Sequence, residues 1–139
     1  MKTHLSFSTT NLAKSLEFYS TLLDARPAKA LDDYALFITE APGLDLSLDV
    51  TQKVSPAKDA HYGLCVESVE DVERAIARLE GAGLVASIER QQTCCYANQT
   101  KVWAIDPDGR RWEVYTVHEE TNEHDSTECC DKETVCCAC

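Results

Sequence analysis

The sequence predicts an α+β fold in which two tandem βαβββ modules form a cup-shaped sheet. Three observations carry that expectation. The stretch HLSFST beginning at His4 returns as HYGLCV beginning at His61, and each leads into apolar residues at helical spacing. Each helical stretch then gives way to three runs of strand character separated by turn-forming residues. Between the two copies, residues 51–59 read TQKVSPAKD, a polar, proline-bearing linker.

The elements follow in order. After the His4 strand, Leu12, Leu16, Tyr19 and Leu23 recur every three to four residues, and Asn11 is placed to cap that helix. Strand-like runs follow at 27–31, 34–39 and 44–50, broken at Asp32–Asp33 and at Ala41–Pro42–Gly43. In the second copy the His61 strand precedes Val69, Val72, Ile76 and Leu79, with Ser68 as N-cap and Gly81 or Gly83 as the stop. Runs at 85–92, 100–105 and 110–117 close it, broken by 94–98 and by the DPDG turn at 106–109. The expected domain is therefore 1–117, with modules 1–50 and 60–117. Neither module covers its own sheet, so the halves are expected to pack around one shared cup.

Composition limits the function. The chain has 139 residues, 44% hydrophobic and 27% charged, with a net charge of −11. That is one domain's worth of an ordinary globular chain. Its negative field repels phosphate backbones and anionic lipid, so neither nucleic acid nor membrane is an expected partner. No apolar run approaches the roughly 18 residues of a spanning helix, and the opening MKTHLSFSTT has no signal core. A reducing cytoplasm is the expected compartment, where cysteines act as ligands or nucleophiles. The segment 118–139 carries seven acids, one lysine and five of the eight cysteines. It is expected to be a disordered acidic tail. Its CC-x5-CC-x-C pattern suits loose chelation of a soft ion, or is a low-complexity terminus without a role.

Alternation in 111–117 puts Glu113, Tyr115 and Val117 on one face and Trp112, Val114 and Thr116 on the other. Counted from the strand ends, Leu46, Leu48 and Val50 take the matching places in the first module. Three of four symmetric positions then hold potential ligands: His4, His61 and Glu113. Two imidazoles and a carboxylate form the facial triad of non-haem iron(II) sites, which zinc, cobalt, nickel or manganese also occupy. Singly, each residue also reads as a surface or turn residue; the repeat links His4 to His61. Trp103 and Trp112 read as packing residues, Cys65 as a core residue, and Tyr115 as a cup or core aromatic.

A second constellation is Cys94–Cys95. Adjacent Cα atoms lie about 3.8 Å apart, too close for an unstrained disulfide. Two free thiols side by side offer a soft bidentate pair for Cu(I), zinc or trivalent arsenic; the alternative is two small buried residues. Lys101 is either an orienting cation or a surface lysine.

The two βαβββ units, His4, His61 and the DPDGRRWEVY segment resemble the vicinal oxygen chelate superfamily over about residues 1–117. TCCYA at 93–97, KVW at 101–103, RWEVYTV at 111–117 and the cysteine-bearing tail resemble its branch of ArsI-type organoarsenical carbon–arsenic lyases and cadmium-induced CadI-like proteins. That resemblance implies Fe(II) on His61, Glu113 and His4, the last at a position that is glutamine in some members, with Ni, Co or Mn as substitutes. It implies that Cys94 and Cys95 hold a trivalent organoarsenical, with Lys101 beside it, and that dioxygen is the co-substrate. Methylarsenite and trivalent aromatic arsenicals are the implied substrates, and arsenite the product. The alternatives are a metal- or metalloid-sequestering resistance protein and a glyoxalase-like metalloenzyme. Oligomeric state stays open, a homodimer included.

Overall fold

The computed structural model describes residues 2–94 and 97–120. The first module runs β1 (Thr3–Thr9), α1 (Leu12–Leu23), β2 (Lys29–Ala30), β3 (Tyr34–Glu40) and β4 (Gly43–Val50). The second runs β5 (His61–Cys65), α2 (Val69–Gly81), β6 (Val85–Cys94), β7 (Ala97–Ile105) and β8 (Arg111–Glu120). Each module is a four-stranded mixed sheet, in the orders β1-β4-β3-β2 and β5-β8-β7-β6. In both, the first strand pairs in parallel with the last, and the remaining pairs are antiparallel. The tandem α+β repeat expected from the sequence is thus present.

Both helices start where their caps require. Asn11 accepts from the Lys14 backbone amide, and Ser68 forms a reciprocal capping box with Asp71. Past α2 the chain turns at Gly83, whose φ of +69° lies in the left-handed region that glycine tolerates. The two helices lie on the inner faces of their own sheets, and those faces share one core. Phe7, Phe18, Tyr19, Phe37, Leu46 and Leu48 come from the first module, and Leu64, Val72, Ile76, Leu79, Val102 and Trp112 from the second. Rings interlock across the seam: Phe7 lies 5.0 Å from Tyr62 and Tyr19 lies 5.8 Å from Trp112, both edge to face.

Strand limits differ from expectation in three places. β2 shrinks to two residues. β6 reaches Cys94 and β7 begins at Ala97, so the expected break at 94–98 narrows to Cys95 and Tyr96, outside the described residues. Backbone pairing between Cys94 and Ala97 continues where the side-chain pattern is already polar. β8 likewise runs past Val117, pairing Glu119 and Glu120 with Asn98 and Ala97. The rest of the tail, 121–139, lies outside the described residues.

The second correction concerns symmetry. Glu113 pairs with Gly63 in β8–β5, and the equivalent β1 residue, Ser6, pairs with Ser47. The partner of Glu113 by symmetry is therefore Ser47, not Leu46. Leu46 points inward and is fully buried in the core. Counting from strand ends misses this by one residue, and with period-two alternation one residue changes the face.

Candidate functional site

The outer face of the second sheet gathers the polar groups. Along β5, His61, Gly63 and Cys65 alternate onto it, while Leu64 turns into the core. Glu113 and Tyr115 from β8 and Lys101 and Trp103 from β7 lie beside them in register: Gly63 with Glu113, Cys65 and Lys101 with Tyr115, and Trp103 with Glu113. His61 Nε2 is 3.6 Å from Glu113 Oε1, and Lys101 Nζ is 3.3 Å from Glu113 Oε2. Glu113 and Lys101 are buried, whereas the His61 side chain keeps 30% of its surface.

Gly63 is what lets Glu113 reach across. A Cβ there would stand 2.9 Å from Tyr115 Cε1 and 3.1 Å from Glu113 Oε1. Burial and the adjacent Cys65 and Glu113 together push the Tyr115 hydroxyl above its usual range. Trp103 adds a wall. Its ring meets His61 edge to face at 5.3 Å, takes Arg111 at 4.9 Å and Lys101 at 5.5 Å, and its Nε1–H donates to Glu89 Oε1 at 2.9 Å.

The donor chemistry suits a divalent cation in part. An imidazole nitrogen and a carboxylate oxygen converge, and Glu113 Oε2 is buried with an ion pair but no aligned hydrogen bond. Two donors are fewer than a facial triad. Among the described residues of one copy, no three His, Cys, Asp or Glu side chains gather to hold a metal. His4 is exposed on β1, opposite in face to the inward Leu5 and Phe7 and beside Asp45. The structure brings His61, Glu113 and Lys101 together and leaves His4 on the other sheet. Cys94 contributes its backbone to the end of β6; its side chain and Cys95 lie outside what is described.

Two expectations change, and one open alternative is decided. Cys65 is exposed on the His61 face rather than in the core. Trp103 is buried but outside the apolar core, on the site side, whereas Trp112 packs in the core. Tyr115 shares the site face. Sequence reasoning missed Trp103, Glu89, Gly63 and Arg111. Parity from Lys101 places Trp103 on the same face, and parity from His61 places Gly63 and Cys65, so that signal was present.

Residues 3–114 match the Glyoxalase/Bleomycin resistance protein/Dioxygenase superfamily. A protein of Bacillus sp. (strain MD1) named trivalent organoarsenical cleaving enzyme is 40% identical, over 97% of this chain and 89% of its own. The cadmium-induced protein CadI of Mycobacterium tuberculosis (strain ATCC 25618 / H37Rv) is 37% identical, over 94% of this chain and 93% of its own. Among solved structures, the fosfomycin resistance protein FosX of Listeria monocytogenes superposes with a TM-score of 0.65 at 16% identity, over 82% of this chain and 90% of that one, which speaks to the fold. No helix among the described residues is long and apolar enough to cross a membrane. The two-module topology, the shared core and these matches together place the chain in the glyoxalase/bleomycin resistance protein/dioxygenase superfamily, alongside the trivalent organoarsenical cleaving enzymes and CadI.

Proposed function

We propose that this protein is an iron(II)- and dioxygen-dependent carbon–arsenic lyase that converts trivalent organoarsenicals to arsenite. The observation that carries the reading is the convergence of His61, Glu113 and Lys101 on one sheet face, in a chain 40% identical to a relative named trivalent organoarsenical cleaving enzyme.

In this reading His61 Nε2 and Glu113 Oε1 hold the metal, and Lys101 secures Oε2 so that Oε1 stays aimed at His61. His4 supplies a third donor from the first-module face of a second copy, making the working unit a homodimer. When bound, iron(II) supplies the dioxygen chemistry that cleavage of an As–C bond requires; Ni, Co or Mn are the substitutes for binding. Cys94 and Cys95 take the arsenic as a thiolate pair. The second As–S bond forms intramolecularly, at high effective concentration, so the pair binds far more tightly than either thiol alone. That fixes arsenic and directs its organic group toward the metal.

The name of the CadI relatives, together with the cysteine-rich tail, favours a second reading, stoichiometric sequestration of a thiophilic ion. Turnover separates the two. Protein loaded anaerobically with iron(II) is given methylarsenite before and after admission of air. Arsenite released beyond one equivalent per chain, and only with both iron and air, supports the lyase. Saturation at one equivalent with no arsenite overturns it. Cys94→Ser and Cys95→Ser are expected to lose arsenical binding and keep metal. His61→Ala is expected to do the reverse.

A further inference from the structure

The two tryptophans are both almost fully buried, yet they have opposite surroundings. Trp112 touches Phe7, Tyr19 and Tyr62 in the core. Trp103 has polar neighbours: the His61 imidazole, two cations, and Glu89 on its N–H. A large apolar ring placed on the polar face of a sheet calls for a local reason.

The geometry supplies one. His61 begins β5, an edge strand, and its imidazole is partly exposed, so little besides its neighbours limits its rotation. The indole edge contact at 5.3 Å and 73° occupies one side of that ring. The indole is itself pinned: its Nε1–H donates at 2.9 Å to Glu89, which is buried on the neighbouring strand β6. Arg111 and Lys101 lie over it, where the ring's negative face attracts cations. A ring held at its far end by a hydrogen bond and by two cations is a fixed wall. Against it the imidazole keeps Nε2 toward Glu113 Oε1.

We infer that Trp103, anchored by Glu89, is the positioning residue that holds His61 in line with Glu113. This rests on the reading of those two residues as a metal site, and it deepens that reading by naming what orients the imidazole. Outer residues that orient a ligating histidine typically change metal affinity by about 10- to 100-fold when removed.

The test has two arms on the full chain. In the metal-free protein, NMR of the histidine rings, with His61 assigned by its loss in His61→Asn, reports the rotamer and the ring-current shift. The wild type is expected to show a single His61 rotamer with displaced ring protons. Trp103→Leu is expected to average the rotamers, Trp103→Phe to fall between, and Glu89→Gln, which keeps an acceptor oxygen, to stay like the wild type. Glu89→Leu should resemble Trp103→Phe. A His61 that keeps its single rotamer in both Trp103→Leu and Trp103→Phe overturns the inference. In the second arm, Co(II) is titrated and followed by calorimetry and by tryptophan fluorescence. The expected result is affinity lowered about 10- to 100-fold in Trp103→Leu. A wild type that binds no Co(II) overturns the metal reading, while the first arm still decides the positioning role.

Discussion

At position 63 the missing side chain sets the geometry of the site. His61, Gly63 and Cys65 follow one another on the same face of β5, and Glu113 leans over the glycine to come within 3.6 Å of His61. Gly63→Ala places a methyl 2.9 Å from a Tyr115 ring carbon and 3.1 Å from Glu113 Oε1, so one of them must move. We expect a loss of about 1–3 kcal/mol in denaturant unfolding, the usual cost of overpacking, and a clear drop in Co(II) affinity. Unchanged affinity would show that Glu113 does not need its present reach. At this scale His61 and Glu113 were singled out by the repeat and by alternation, whereas Lys101 stood as either an orienting cation or a surface lysine until the structure set it beside Glu113. Trp103 and Cys65 were not, because an indole and a thiol read as core residues by type. Their parity relative to Lys101 and His61 carried the correct face, and type outweighed it.

The β7–β8 turn holds the two modules together. Asp106 is buried and accepts from the Tyr19 hydroxyl at 2.7 Å, the Arg110 amide at 2.7 Å and the Arg110 guanidinium at 3.0 Å. Arg110 also donates to the Ser8 carbonyl at 2.8 Å and lies 4.5 Å from the Phe7 ring centroid. The second module thus grips the end of β1 in the first. Asp106→Ala removes the carboxylate that a buried guanidinium and a buried phenol share, leaving the guanidinium charge without its closest counter-ion, and we expect about 3–5 kcal/mol of destabilisation in chemical denaturation. Asp108 crosses the same seam, accepting from Thr10 Oγ1 at 2.6 Å and its amide at 3.0 Å. Burial opposes its ionisation, but the hydrogen bonds from Thr10 and Thr9 and the charge of Arg110 outweigh it and hold its carboxyl below the ordinary 3.8. A depressed carboxyl contributes stability above its unfolded value, and that contribution is lost as pH falls through the folded value. Asp108→Asn should therefore flatten the acid limb of stability below about pH 4 while leaving its shape near neutrality alone. A limb of the same steepness in the variant would remove Asp108 as a cause. Among elements, the helices and their caps were readable because capping chemistry is local. The ends of β6 and β7 were not, since backbone pairing persists past the point where side chains turn polar. The symmetric position of Glu113 failed for a related reason: phase is set by pairing with β1 and β5, not by distance from a strand end.

At the scale of the whole molecule, the two sheets turn their inner faces to one common core, and among the described residues no further layer packs on either outer face. His4 stands on one of these faces, and His61 with Glu113 on the other. Ile38 on the first and Ile105 and Val117 on the second are exposed apolar residues on those same faces. The tandem repeat was legible in the sequence, but equivalence of His4 and His61 in the repeat does not fix their distance in space, and they stand on separate sheets. Under the proposed homodimer, the His4 face of one copy closes over the His61–Glu113 face of the other, and each dimer holds two such sites. This arrangement makes a prediction that a single-chain site cannot. His4→Ala and His61→Ala, each inactive alone, are unfolded together and refolded at equal amounts. Half the dimers formed at random are mixed, and each mixed dimer has one site with both histidines and one with neither. Metal binding and turnover are then expected to recover to about a quarter of the wild-type level. Two inactive variants that stay inactive after mixing, with mixed dimers demonstrated by differently tagged chains, would place His4 outside the site. Recovery would show that the third donor crosses between copies, and it would explain why one copy alone presents two donors rather than three.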